Sequence, residues 1–258
     1  MSLTALYLDG TSLIDNPDLV MFDKDGTLID IHHYWGSMIR FRAERLTDLY
    51  FKSHPLVNSV PDLMLEAMGV NLKSGKLKPD GPVGVMPRAY IIGVVSEVAK
   101  SLGVILKVDD IEKVFLDVDQ ETSKNLLPFL RLLPGVEVLL SELKRNGIPI
   151  ALVSTDITSR AFSAMKALKL DGLFNVILGG DSVKKTKPSP DLALAAISHC
   201  SANPLRTVVI GDHPVDIEMG RKAGCKTNIG VLNGISYPES FSSIDCILVS
   251  NLTHISAQ

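Results

Sequence analysis

The stretch Val20-Met21-Phe22-Asp23-Lys24-Asp25-Gly26-Thr27-Leu28 decides how the rest of the chain is read. Leu19 to Phe22 is an unbroken apolar run, which predicts a short buried strand, and it ends abruptly in two carboxylates two residues apart. On a straight strand such residues point to the same face, so Asp23 and Asp25 would crowd and repel each other. Gly26 lets the backbone turn sharply just past the strand end. Carboxylates crowded at the carboxyl end of a buried strand need a cation, a proton or a substrate to offset their burial. In open α/β sheets that edge is also where ligands bind.

The bulk properties narrow the partners. The 258 residues can bury a full core and hold one large domain, or a domain with an insert. Apolar residues make up 46% and charged residues 21%, an ordinary globular balance. The net charge of −3 comes from 26 basic and 29 acidic residues with no block of like charge, so nothing points to nucleic acid or a membrane surface. Cys200, Cys225 and Cys246 are odd in number and lack metal-ligand spacing, which fits buried thiols in a reducing compartment better than a disulfide framework. No apolar stretch reaches the roughly 20 residues of a membrane helix, and no basic region followed by an apolar run opens the chain. A cytoplasmic protein is expected.

Upstream, Leu8-Asp9-Gly10-Thr11 repeats the Asp-Gly-Thr of the central stretch, but Tyr7 stands where the first carboxylate would be. Residues 1–18 are therefore read as a hairpin or edge strand turning at Asp9-Gly10, not as a site. Downstream, apolar residues recur at helical spacing over 34–52, 60–68, 89–102 and 111–129, with a Gly- and Pro-containing loop at 71–82. A direct βαβ crossover needs far fewer residues, so this segment is a helical insert after the first strand. Arg40, Arg42 and Arg45 cannot share one helix face, and most are expected to be solvated.

From Leu133-Pro134-Gly135 onward strands and helices alternate. A helix at 136–145 stops at Asn146-Gly147, and strands are predicted at 148–153, 176–178, 207–210, 227–231 and 246–249. Helices are predicted at 159–168 and 215–223, and Ser189-Pro190-Asp191 opens another, with the serine as its cap. Such alternation implies an α/β, Rossmann-like, doubly wound and mainly parallel sheet covered by helices. The expected division is an α/β core over 1–30 and 133–258, and a mainly α-helical cap domain over 31–132.

A parallel sheet would gather four polar clusters at its carboxyl edge. Asp23 and Asp25 end the first strand, and Ser154 and Thr155 follow the strand at 148–153. Lys187, in Lys184-Lys185-Thr186-Lys187-Pro188, precedes the helix at Pro190, and Asp212 and Asp216 follow the strand at 207–210. Carboxylates, one lysine and one hydroxyl make a hard-cation site beside an anion site, which suits Mg²⁺ with a phosphate.

These motifs, in this order, resemble those of the haloacid dehalogenase-like hydrolases, whose first motif is Asp-x-Asp-Gly-Thr after an apolar strand. The resemblance covers the chain outside 31–132, and that segment only by position and type. It implies Asp23 as a nucleophile that becomes an aspartyl-phosphate. It implies Asp25 as general acid and base, with its backbone carbonyl on the metal. Ser154, with Thr155 as its rival, would hydrogen-bond the phosphoryl group, and Lys187 would neutralise its charge. The proline after Lys187 matches the family pattern and favours it over Lys184 and Lys185. Asp212 would bind the metal, and Asp216 would support the metal shell or orient Lys187. The implied metal set is Asp23, Asp25, Asp212 and Asp216, with Mg²⁺ as cofactor. Gly26, Thr27, Thr155 and Trp35 are the candidate substrate-binding residues.

Plainer readings stand beside these. Asp23 and Asp25 could form an Asx turn, Ser154 or Thr155 could cap a helix, and Asp216 could be a first-turn acid favoured by the helix dipole. Trp35 could pack the hinge of the insert, and His213 could be a substrate contact or a surface histidine.

Within the family, Asp25 argues against a dehalogenase, which needs no second acid, and against a transport ATPase, which has Thr there and membrane helices. The insert lies between the first two motifs, and only 33 residues separate Ser154 from Lys187. That arrangement resembles phosphoglycolate phosphatases and β-phosphoglucomutases, and the loop at 75–84 with Asp80-Gly81-Pro82 resembles the phosphoglycolate phosphatase-like subset. The implied function is Mg²⁺-dependent hydrolysis of a small phosphorylated metabolite. A phosphomutase is the alternative, followed by a non-catalytic phospho-acceptor, since response-regulator receivers also cluster Asp, Ser/Thr and Lys. The sequence leaves open the oligomeric state and which of Lys73, Lys76, Lys78 or Arg88 meets a substrate carboxylate.

Overall fold

The computed structural model describes residues 4–83 and 86–258. Residues 1–3 of the hairpin segment and Gly84, the end of the 75–84 loop, lie outside the described residues. Two compact units are present: Met1–Asp30 with Leu130–Gln258, and Ile31–Phe129.

In the first unit, Ala5–Leu8 (β1) and Thr11–Asp15 (β2) form an antiparallel hairpin. Asp9 and Gly10 turn it with φ of 47° and 80°, a region that Asp and Gly tolerate. Ile255–Ala257, unassigned from sequence, pairs antiparallel with β1 and completes a three-stranded sheet. Three residues are too few to show a period, so pairing rather than local pattern makes this strand.

The main sheet comprises β3 (Leu19–Phe22), β4 (Ile150–Val153), β5 (Val176–Leu178), β6 (Thr207–Gly211), β7 (Thr227–Val231) and β8 (Ile247–Val249). All pairings are parallel, in the order β5-β4-β3-β6-β7-β8. The chain thus starts in the middle, winds out to β5, crosses back and winds out to β8. Strands β3, β4 and β6 are buried on both faces, as parallel strands flanked by helices are. On one face Leu19, Met21, Ala151, Val153 and Val209 pack with Leu192, Ala193 and Ala196 of helix Asp191–His199 and Met219 of helix Pro214–Lys222. This is the doubly wound α/β core that the alternation predicts. The three cysteines are free, and burial pushes the Cys225 thiol up to about 12. Among the described residues, no helix is long and apolar enough to cross a membrane.

Asp30 and Leu130–Leu133 carry the chain out of this unit and back. Asp30 N donates to Arg131 O at 2.8 Å and Leu133 N to Leu28 O at 3.0 Å, with Ile29 opposite Leu132 in an antiparallel bridge.

The second unit consists of helices Ile31–Tyr50, Val60–Ala67, Arg88–Ser101 and Val108–Ser123, the first packing on the second and fourth and the third on the second and fourth. The last helix departs from its predicted span of 111–129. It starts three residues earlier, where Asp109 and Asp110 favour a helix N-terminus. It stops at Ser123, and Leu127–Phe129 is a separate 3₁₀ turn, because Pro128 cannot continue an α-helix. The expectation of solvated arginines holds for Arg40 but fails for Arg42. Arg42 is 4% exposed, lies 4.5 Å over the Phe115 ring and donates to Asp119 at 2.7 Å. Asp119 also accepts from Arg88, and the two guanidinium groups outweigh its burial and hold its carboxyl below the usual range. Arg45 pairs with Glu121 at 2.7 Å. The partner acids lie far along the chain, so helix periodicity could not reveal them. Trp35 is half-buried, edge-on to Tyr34 at 5.2 Å and 5.9 Å from the Arg42 guanidinium.

Candidate active site

The carboxyl ends of the adjacent strands β3 and β6 place Asp23 and Asp212 side by side. Asp23 continues the pairing with β6, its N–H donating to Ile210 O at 2.9 Å. The turn beyond it is tight: Gly26 N donates to Ile29 O at 2.7 Å, and Leu28 N and Ile29 N to Lys24 O at 3.0 Å each. Gly26 has φ of 91°, and a Cβ there would fall 2.2 Å from Asp212 Oδ2. A Cβ on Gly234 would lie 2.0 Å from the same oxygen, and Ile235 N donates to it at 2.9 Å. The Asp212 carboxylate is thus clamped between two glycines, which only residues without a side chain permit.

Lys187 Nζ bridges two carboxylates, 2.6 Å from Asp23 Oδ1 and 2.6 Å from Asp216 Oδ1. Asp216 lies in the first turn of helix Pro214–Lys222, and its other oxygen accepts from His213 N at 3.0 Å. His213 in turn accepts from Val215 N through Nδ1 at 3.3 Å, so it caps this helix. Burial holds the His213 pKa below its usual value. One Asp216 oxygen thus meets Lys187 while the other ties the helix start.

Oxygens of Asp23, Asp212 and Asp216 all lie within 4.8 Å of one another. Burial, Asp216 and Asp25 push the Asp23 carboxyl up to about 7, against the pull of Lys187. Burial and the charges of Asp23 and Asp216 hold Asp212 well above the usual carboxylate range. Burial opposes the Lys187 charge, but Asp216 and Asp23 outweigh it and raise its pKa. Three carboxylates against one ammonium leave two negative charges when all are ionised. That excess suits a divalent cation, and an all-oxygen donor set suits a hard one. These residues therefore fit a metal ion such as Mg²⁺. The Asp25 carboxylate is not one of the three.

Ser154 is buried at the end of β4, where its Oγ accepts from Asp156 N at 3.1 Å and keeps its own proton to donate. Thr155 is exposed. Thr27 is fully buried, and its hydroxyl has no hydrogen-bond partner among the described residues. Trp35 belongs to the helical unit. The structure adds two residues that motif reading passed over. Lys24 Nζ lies 3.2 Å from Asp25 Oδ2 and 2.7 Å from Asp156 Oδ2. A lysine set between two aspartates directly after a buried strand was the available signal.

A family model for haloacid dehalogenase-like hydrolases matches residues 17–224, and the chain belongs to that family. The phosphoglycolate phosphatase of Aquifex aeolicus is 31% identical over 108 residues, 42% of this chain and 51% of that protein. That of Escherichia coli is 32% identical over 109 residues, 42% of this chain and 43% of that protein. The chain thus spans about half the length of these curated relatives. A crystal structure of a predicted phosphoglycolate phosphatase from Haemophilus somnus superposes with a TM-score of 0.67 at 22% identity, covering 91% of this chain and 94% of that one. The last likeness shows the fold.

Proposed function

We propose that the chain is a Mg²⁺-dependent phosphatase that hydrolyses a small phosphorylated metabolite, of the phosphoglycolate type, through an aspartyl-phosphate at Asp23. The observation that carries this reading is the buried cluster of Asp23, Lys187, Asp216 and Asp212 on one sheet edge. Asp23, Asp212 and Asp216, with the Asp25 backbone carbonyl, would hold the metal, which supplies positive charge against the phosphoryl oxygens. Lys187, pinned by Asp216, keeps an ammonium beside the nucleophile and lowers the cost of bringing a phosphate dianion to a carboxylate. The Ser154 hydroxyl donates to a phosphoryl oxygen, and Gly26 and Thr27 shape the loop beneath it. Asp25 gives a proton to the departing ester oxygen and then takes one from the water that hydrolyses the acyl phosphate. Thr155 and Trp35 are assigned to the leaving group's side. The helical unit is assigned substrate selection. The relatives named phosphoglycolate phosphatase support this substrate class.

The test is phosphate release from phosphoglycolate, sugar phosphates and nucleotides, with Mg²⁺ and with EDTA, beside Asp23→Asn. Mg²⁺-dependent release that the variant loses is the expected outcome. An active Asp23→Asn protein would overturn the mechanism, and conversion of a sugar phosphate into its isomer without release would reassign the chain as a mutase.

A further inference from the structure

We infer that Asp156 and Lys24 form a positioning relay for Asp25, an inference that rests on the phosphatase reading above. Lys24 lies between Asp23 and Asp25 in sequence, and its side chain is 0% exposed. A buried ammonium is tolerated only with close, well-oriented anions, and losing one partner leaves its charge uncompensated. Among its contacts are Asp25 Oδ2 at 3.2 Å and Asp156 Oδ2 at 2.7 Å.

Asp156 is itself held from several sides. It lies in the turn after β4, the strand next to β3. Its N–H donates to Ser154 Oγ at 3.1 Å, and its carbonyl accepts from Gly180 N at 2.8 Å. Its Oδ1 accepts from Ile157 N at 2.8 Å and faces Arg160 at 3.3 Å. Gly179 packs so tightly here that a Cβ would fall 2.5 Å from Asp156 O. A carboxylate fixed this way can aim the ammonium, and the ammonium can aim the next carboxyl group.

The chemical consequence concerns one carboxyl group. The contact with the Lys24 ammonium fixes the rotation of the Asp25 carboxyl plane. In the first step a carboxylate oxygen of Asp23 bonds to phosphorus, and the bond from phosphorus to the ester oxygen breaks. The electron pair of that bond stays on the leaving oxygen, which takes the proton from the Asp25 carboxyl group. A leaving alkoxide depends on that proton, whereas 4-nitrophenolate leaves without it. Asp156 and Lys24 touch neither the phosphorus nor the leaving oxygen in this scheme, so they are positioning residues.

The experiment compares kcat/KM for 4-nitrophenyl phosphate with that for phosphoglycolate, or for the alkyl phosphate that the wild-type chain cleaves fastest. It is run on the full chain with Mg²⁺ for Asp156→Asn, Lys24→Met and the double variant. The relay predicts that each single variant loses about 10- to 100-fold more on the alkyl ester than on 4-nitrophenyl phosphate. It also predicts that the double variant is no worse than either single one, because both act through one contact. Equal losses on the two esters, or losses that multiply in the double variant, overturn the relay and leave the phosphatase reading standing. If Asp156→Asn does not fold, Lys24→Met carries the same comparison, and an unchanged ester ratio there overturns the relay. A wild-type chain that cleaves neither ester overturns the phosphatase reading and the relay together.

Discussion

Asp9-Gly10-Thr11 and Asp25-Gly26-Thr27 are the same three residues in the same unit, and the structure treats them in opposite ways. Both glycines take positive φ, 80° and 91°, so the turn itself is common to the two. Around Gly10 a Cβ would meet nothing within 4 Å, whereas around Gly26 it would collide with the Asp212 carboxylate. The Asp9 side chain is 69% exposed and meets His254 Nδ1 at 2.8 Å. The Asp25 side chain is 15% exposed and meets a buried ammonium. The first triplet joins two short antiparallel strands, while the second ends a parallel strand whose neighbours deliver Asp212 and Ser154 to the same edge. Turn chemistry is local, but a site is made by what the sheet brings against the turn.

The contrast can be broken by substitution. The largest effect is expected from Asp25→Asn, which should lower kcat/KM for an alkyl phosphate by about 100-fold or more, measured by phosphate release. Full activity in that variant would make the second triplet as inert as the first. Gly26→Ala should follow, because it adds left-handed strain to an overlap with Asp212. A loss of about 2–4 kcal/mol in urea unfolding is expected, with Mg²⁺ binding lost in titration calorimetry. Gly10→Ala carries only the strain, about 1 kcal/mol, and should leave turnover unchanged. The smallest effect is expected for Asp9→Asn, since exposed ion pairs contribute about 0–1 kcal/mol, again with turnover intact.

The same contrast has a pH signature. The Asp23 carboxyl has a folded pKa of about 7 against 3.8 for the ordinary group. Between those values the folded protein binds the extra proton, so the metal-free protein should lose stability as pH rises from about 4 to 7. A divalent cation must displace that proton, so Mg²⁺ should bind more tightly, and restore more stability, as pH rises through 7. Melting curves with EDTA and with Mg²⁺ at several pH values check both signs. Because His213, held below its usual pKa, adds stability over part of the same range, a metal-free wild-type protein that gains stability from about pH 4 to 7 relative to Asp23→Asn would contradict the raised Asp23 pKa.

Much of this was legible beforehand. The apolar runs ending in polar clusters located β3, β4, β6 and β7, and one parallel sheet sufficed to bring Asp23, Lys187, Asp212 and Asp216 together. Order along the chain could not separate Ser154 from Thr155. The backbone direction at the end of β4 does, burying the first and exposing the second. Nor could it pair Lys24 with Asp156, or Arg42 with Asp119, because those contacts join residues distant in sequence. The predicted capping role of Ser189 also fails, since its hydroxyl donates to the Asp191 carboxylate at 2.6 Å. Side-chain competition of that kind is invisible to a motif.

The paired segments around Asp30 and Arg131 have a polymer consequence. Because Ile29 already faces Leu132, the whole of Ile31–Phe129 is, to the α/β unit, a loop whose ends are held at hairpin distance. The entropy of closing a loop grows only with the logarithm of its length. The sheet is therefore nearly indifferent to how much chain is threaded between those two points. Excising the insert and bridging Asp30 to Leu130 with a short Asn-Gly-type turn should leave a folded α/β unit, and exchanging it for another module is an equally mild operation on that unit.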